Sequence, residues 1–359
     1  MSRVRMAVIG VGALGRHHAR ILSELPEVQL VAVVDSHAER GQEVAEKCRT
    51  RWVSNYRHLL DRVDAVSIVV PTFAHLSVAG DFLRAGVPVL VEKPLAGHLG
   101  DAQQIAQLAR QMGTLLQVGH VERFNPAMVA AKPHIEAPRY IRAERVSPYA
   151  FRSTDIGVVH DLMIHDIDLV HWLAGTSDVV HVEAMGVSVM GEHEDIAQAR
   201  LHFANGCIAD ITANRVHPTA SRKIEAYGLR GTVHIDMHAR TVWRMSPSLE
   251  LLQGESPLAK SREPGANIEQ LKKDVFTKYL HPENLAVGEG DALTAELKQF
   301  VRCVQTGRQP LVGGEEGVAA MKTADMVLQS LQSHQWNGVP HGPVGPLPWQ
   351  PKPQLRVAA

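Results

Sequence analysis

The chain has 359 residues, 45% of them hydrophobic and 21% charged, and a formal net charge of -1. That balance is ordinary for a soluble globular protein, and the length exceeds one typical core, so two domains are expected. There is no basic run and no apolar run of bilayer length, which argues against nucleic acid, an anionic membrane surface or a transmembrane span. The start, Met1-Ser2-Arg3-Val4-Arg5, leads straight into an apolar segment and leaves no room for a signal peptide. Cys48, Cys207 and Cys303 are scattered, with no C-x-x-C, and read as reduced thiols of a cytoplasmic protein. Neither a disulfide frame nor a zinc site is expected.

The first predicted strand, Arg5 to Ile9, ends in Gly10, Gly12 and Gly15, the G-x-G-x-x-G spacing, with Ala13 and Leu14 inside the turn. A helix, Ala13 to Leu25, follows and stops at Pro26. The next strand, Gln29 to Val34, ends in Asp35. Each part has a physical task. Gly10 allows a tight turn, Gly12 lets a pyrophosphate approach the backbone, and Gly15 lets the helix lie close on the sheet. The helix N-terminus offers free N–H groups to phosphate. Asp35 can accept from a ribose diol, which favours NAD over NADP. A glycine-rich βα turn without a ligand is the alternative. Arg40 lies close enough to Asp35 in sequence to leave NADP open.

A helix from Ala38 to Cys48 comes next, then a nearly unbroken apolar strand, Asp64 to Val70. Val70-Pro71-Thr72 closes that strand, where open α/β sheets bind ligands, so Pro71, Thr72 and His75 are candidate cofactor contacts. Thr72 can equally cap the helix His75 to Ala85. The strand Val87 to Val91 ends in Glu92-Lys93-Pro94, and Glu92 and Lys93 join the candidate cofactor contacts. A lysine leaving the core there is partly desolvated and suits acid/base work or donation to a substrate oxygen; a surface ion pair is the plain alternative. Leu99 to Met112 is a helix and Thr114 to Val118 a strand. Repeated βα units of this kind make a doubly wound parallel sheet. His120 to Pro126 lies where that pattern ends. Arg123 and Asn125 there can bind a polar substrate, or else form a structural salt bridge and a helix cap.

After Gly119 the strands lengthen and follow one another: Tyr140 to Val146, Val179 to Val189, Ala197 to Phe203, Cys207 to Ala213, Arg222 to Tyr227, Thr232 to Asp236 and Thr241 to Met245. Asn205-Gly206 marks a hairpin. The expected fold is thus an α/β Rossmann domain (residues 1–121) joined to a C-terminal α+β domain with a large, mainly antiparallel sheet (122–335). The polar stretch Pro247 to Pro264 leads to helices near Asn267 to Tyr279, Asp291 to Thr306 and Glu315 to Ser333. A proline-rich tail, 336–359, should be extended or disordered.

One helix, His160 to Ala174, interrupts these strands. Asp161, His165 and Asp168 fall on one stripe, opposite Met163, Ile167, Val170 and Ala174. A solvated polar face is the plain reading. A shared metal ion lacks a third dedicated ligand. The catalytic reading takes His165 as the proton acceptor, with Asp161 either orienting it or binding the substrate, and leaves open an exchange of roles between His165 and Lys93.

G-V-G-A-L-G, V-P-T-F-A-H, V-E-K-P-L and D-x-x-x-H-D together resemble the glucose–fructose oxidoreductase and inositol dehydrogenase (Gfo/Idh/MocA) family, over about residues 3–330. The resemblance implies NAD- or NADP-dependent oxidation or reduction at a carbinol of a sugar or cyclitol. It also implies that Lys93, Asp161 and His165 surround the reacting carbon, with a homodimer or homotetramer built through the C-terminal sheet. Q-V-G-H-V-E-R-F-N-P and H-D-L-M-I-H-D-I-D-L further resemble the bacterial UDP-N-acetylglucosamine 3-dehydrogenase group, which would make the partner a nucleotide sugar of lipid A synthesis. Two other readings stay open: an NADPH-dependent reductase of an unsaturated or imine substrate, and a non-catalytic dinucleotide sensor. In a sensor, Lys93, Asp161 and His165 would be dispersed.

Overall fold

The computed structural model describes residues 3–151, 156–175, 178–190, 193–336 and 339–340. The first half alternates strand and helix: β1 (Val4–Ile9), α1 (Gly15–Glu24), β2 (Val28–Val34), α2 (Ala38–Lys47), β3 (Arg51–Val53), β4 (Ala65–Ile68), α3 (His75–Arg84), β5 (Val89–Glu92), α4 (Leu99–Met112) and β6 (Leu116–Gly119). The strands form one parallel sheet in the order β3-β2-β1-β4-β5-β6. Chain order reverses between β1 and β4, so the ligand crevice of such a sheet opens at their carboxyl ends. Every residue of β4 and β5 is buried, which explains sequences that are apolar except for Ser67, bonded to His18 Nδ1 at 2.8 Å, and the closing Glu92.

The second half begins with α5 (Pro126–Ala131) and β7 (Tyr140–Val146). A wide π turn, Val159–Met163, leads into α6 (Ile164–Ala174). Then come β8 (Val179–Val187), β9 (Ile196–Phe203), β10 (Ile208–Asn214), β11 (Ser221–Gly228), β12 (Gly231–Asp236) and β13 (Thr241–Pro247). Three short helices follow, α7 (Leu249–Gln253), α8 (Pro257–Ser261) and α9 (Ile268–Asp274), and then β14 (Leu280–Leu285), α10 (Ala292–Thr306) and α11 (Gly314–Ser333). The sheet order is β14-β13-β12-β11-β7-β10-β9-β8, antiparallel except where β7 lies beside β10. Strict alternation builds it. Ile141, Ala143, Ala209, Ile211, Ala213, Ile224 and Ala226 are buried on one face, which α6 helps to cover. Gly206, at φ +84°, makes the β9–β10 turn. Helix α10 returns to the parallel sheet, where Leu297, Phe300 and Val301 join the core of Val4, Met6 and Val8.

Several expectations need correction. The strand expected over Asp64 to Val70 ends at Ile68, because Val69 and Val70 turn the crevice corner. β3 is three residues long, too short to show a period, and β14 is a largely exposed edge strand containing Pro282. The polar stretch after Pro247 holds α7 and α8, whose first turns are capped by the hydroxyls of Ser248 and Ser256. The expected tail lies outside the described residues beyond residue 340.

Candidate active site

The glycine corner fits a dinucleotide. Gly10 has φ +88°, and a Cβ there would sit 2.6 Å from the carbonyl oxygen of Val69. A Cβ on Gly15 would sit 1.9 Å from the carbonyl oxygen of Gly10, so the start of α1 rests directly on the turn. At Gly12 an added Cβ meets nothing within 4 Å, leaving that side of the backbone open to a ligand. Ala13 and Leu14 are exposed beside it. Asp35 is buried at the end of β2. Its carboxylate takes the N–H groups of Val11 (3.0 Å) and His37 (2.8 Å), and the Arg40 fork through Nε (2.9 Å) and Nη2 (2.7 Å). Burial alone would raise its pKa, but Arg40 and the two amides outweigh this and hold it below the usual value. The acid that would hold the ribose diol is therefore charged and preplaced.

The two neighbouring corners differ from expectation in detail. Pro71 is exposed and Thr72 half-buried, so both line the crevice; Thr72 makes no side-chain cap. His75 is a correction. It is 1% exposed, with Nδ1 3.1 Å from the Pro94 oxygen and Nε2 3.0 Å from the Val70 oxygen. It staples the V-P-T corner to the E-K-P corner and has no face left for a cofactor. Glu92 is likewise turned inward. Its Oε1 lies 3.1 Å from His18 Nε2, against Gly119, where a Cβ would collide with the carboxylate at 2.8 Å. It supports the corner from beneath. The Lys93–Pro94 peptide is cis.

Lys93 reaches the other half of the molecule. Its Nζ donates to the main-chain oxygen of Asp161 at 2.7 Å, within the π turn. Such turns recur at functional sites because they widen the ladder of main-chain bonds. Glu194 fixes the start of this turn: its main-chain oxygen takes the Val158 N–H at 2.8 Å and its Oε1 takes that of Val159 at 3.1 Å. Gly157 makes room, since a Cβ there would lie 1.9 Å from that Oε1. His165 stands one turn beyond Asp161. Its Nδ1 is buried with no hydrogen-bond partner among the described residues. Burial, and then the charges of Lys93, Arg145 and Arg222, hold its pKa well below 6.5. His165 is thus a neutral imidazole at neutral pH.

The solvated polar stripe is overturned. Asp161, Asp166 and Asp168 are all buried. Arg145 of β7 grips Asp166 through Nε (3.0 Å) and Nη2 (2.8 Å) and reaches Glu122 with Nη1 (2.7 Å). Asp168 leaves the expected trio and pairs with Arg123 through two 2.8 Å bonds. Arg123 is 4% exposed, and its remaining contacts are the Leu311 oxygen and the Trp172 ring. Asn125 caps α5 by accepting from the Ala127 N–H at 3.0 Å and donates to Glu122 at 3.1 Å. Neither keeps a group for substrate, so both expected contacts are corrected to structural roles. Arg145, Glu122, Asp166 and Glu194 escaped the sequence reading. Arg145 had a signal: it occupies an inward position of β7, after Ile141 and Ala143.

Among the described residues no group of three or more His, Cys, Asp or Glu side chains could hold a metal ion, and no helix is long and apolar enough to cross a membrane. Comparison with known proteins matches residues 4–120 to the model of an oxidoreductase family with an NAD-binding Rossmann fold (Gfo/Idh/MocA), and residues 138–339 to that family's C-terminal α/β domain. The chain is 32% identical over 334 residues to UDP-N-acetylglucosamine 3-dehydrogenase of Acidithiobacillus ferrooxidans, covering 93% of this chain and 99% of that protein. It is 26% identical to scyllo-inositol 2-dehydrogenase (NAD(+)) of Bacillus subtilis, covering 94% and 96% of the two chains. A solved structure of the Acidithiobacillus ferrooxidans enzyme superposes with a TM-score of 0.80 at 33% identity, covering 92% of this chain and 98% of that one.

Proposed function

The chain belongs to the Gfo/Idh/MocA family of NAD-binding oxidoreductases, and from that premise we propose that it oxidises a secondary alcohol of a sugar, namely the 3-hydroxyl of UDP-N-acetylglucosamine. One observation carries the reading. The Lys93 ammonium leaves the parallel sheet and bonds the turn that leads to His165, so two groups suited to moving protons share one crevice. A sensor would have no use for this convergence. The choice of sugar is supported by the 32% identity to an enzyme of that name across nearly the whole chain.

Gly10, Gly12, Ala13, Leu14 and Gly15 cradle the pyrophosphate, Asp35 receives the ribose diol, and Pro71 and Thr72 border the same crevice. When bound, NAD supplies the acceptor for the hydride. His165 takes the hydroxyl proton as the oxygen's electron pair closes the new C=O bond; its depressed pKa keeps it unprotonated and ready. Lys93 donates to the oxygen that becomes the carbonyl. An ammonium has three donors, so this geometry is compatible with its bond to Asp161. Asp161, one turn before His165 and with no hydrogen bond to its Nδ1, positions the sugar.

We place the reaction in the cytoplasm, at the first step of amino-sugar formation for lipid A, in a homodimer or homotetramer. The assembly is supported by the sheet face opposite α6. There Tyr140, Tyr227, His234 and Trp243 form a half-buried row across β7, β11, β12 and β13, with His234 stacked on Trp243 at 3.7 Å. The deciding experiment mixes the protein with NAD and a panel of UDP-sugars, free sugars and cyclitols and follows NADH. NADH from UDP-N-acetylglucosamine is expected. Turnover of only a free sugar or cyclitol overturns the substrate, and no turnover of any overturns the reaction.

A further inference from the structure

Arg222 and Arg145 are direct cross-strand partners on β11 and β7. Both lie on the sheet face of Ile141, Ala143, Ile224 and Ala226, at the strand ends that meet the His165 helix. Two guanidinium groups side by side repel unless each has its own counter-charge. Arg145 has two, Asp166 and Glu122, and its side chain is 4% exposed. Arg222 has a remainder. Its side chain's one hydrogen bond among the described residues runs 3.4 Å to Glu122 Oε1, the oxygen that Arg145 already holds at 2.7 Å. The other oxygen of Glu122 takes Asn125 at 3.1 Å. Arg222 is 47% exposed. A planar fork of five donors thus stands half in solvent on one long bond, and its field reaches His165.

We infer that Arg222 is the phosphate-recognising residue of the substrate site, its fork closing on the diphosphate of a nucleotide sugar one sugar ring away from the reacting hydroxyl. The inference rests on the nucleotide-sugar reading above and deepens it: Arg222 separates nucleotide sugars from neutral sugars and cyclitols at this site. Arginine suits the task, since its fork matches two phosphate oxygens at once and is more weakly hydrated than an ammonium. The inner arginine shapes the site, and the outer one reads the substrate.

The test titrates UDP by calorimetry into the NAD-loaded protein and into its Arg222→Ala, Arg222→Gln and Arg222→Lys variants. Removal of a charge-assisted fork should weaken UDP by about 10- to 100-fold. Lysine should recover part of this, and the loss should ease as salt is raised. In turnover, KM for UDP-N-acetylglucosamine should rise more than kcat falls, with NAD affinity as the control. Arg222→Lys keeps a cation of nearly the same reach beside Glu122 and guards against a folding defect. If UDP binds wild type and all three variants alike, or fails to bind wild type, the inference is wrong. If the variants lose only thermal stability and NAD affinity, Arg222 is a prop for Glu122 and the inference is equally wrong. UDP binding that depends on Arg222 without turnover of UDP-N-acetylglucosamine would sustain the inference and defeat the substrate assignment. Turnover with an unaltered KM in Arg222→Ala would do the reverse.

Discussion

The glycine corner and the helix corner meet at one crevice but are made of different material. Around Gly10, Gly12 and Gly15 the useful groups are main-chain amides and the space left by missing side chains. Around His165 they are side chains held by buried charge, with Arg145, Asp166, Glu122, Arg123 and Asp168 all in ion pairs. A site built from backbone depends on local conformation, which neighbouring residues dictate. A site built from buried charge depends on partners far apart in the chain, such as Arg123 and Asp168, 45 residues apart. At Gly10 and Gly15 the first tolerates no added atom, and the second tolerates no missing partner.

The sharpest way to separate the two corners is to remove the chemistry and leave the cofactor seat. Lys93→Ala and His165→Ala should each lower kcat by about 10²- to 10⁴-fold, while NAD titration shows an affinity close to that of wild type. Near-normal turnover in both would sink the mechanism. Next in size is Arg145→Ala. Stripping the partner from Asp166 and Glu122 should cost about 3–5 kcal/mol, read by urea unfolding. A variant as stable as wild type would mean the helix corner does not depend on buried pairing.

Gly15→Ala should act on the other corner alone. Its Cβ meets a backbone oxygen that cannot step aside, so a loss of about 1–3 kcal/mol and weaker NAD binding are expected, with the Arg145 cluster intact. Unchanged NAD affinity would contradict the close approach of α1.

The most gradual effect, smallest per group and per pH unit, is with acid. His75, His120, His160 and His165 are held below their usual pKa by burial, and His171 is lowered to about 4. The unfolded chain takes up protons below pH 6.5 that the folded chain refuses. Stability should therefore be level above that pH and fall as pH drops from 6.5 toward 4, each group contributing at most about 1.4 kcal/mol per pH unit. Thermal melts along that range check it, and a flat profile would show that these rings are not buried neutral. Three of the five lie on the helix side, so acid should loosen that corner first.

The same contrast explains what could be read before the structure. The strand Tyr140–Val146 and the helix Leu99–Met112 carry clear periods and were legible to the residue. The meeting of Lys93 with the turn at Asp161 was legible because motif spacing carries both residues. His75, Arg123 and Asn125 were misplaced for one reason: a polar side chain beside a crevice can face in or out, and a distant partner decides. The π turn was invisible, since an ordinary helix fits the same residues. Arg145 could have been found, as a charge at an inward position of an otherwise alternating strand is a demand for a buried partner.

Arg40 gives the adenosine end a character of its own. With Val11, His37 and both arms of Arg40 in place, every lone pair of Asp35 is spoken for. On the seating proposed for NAD, docking of a ribose would be a trade: two hydroxyls would come in as a guanidinium swings away. An entering nucleotide would then wait for that departure, and the rate of loading should follow how often a single side chain lets go.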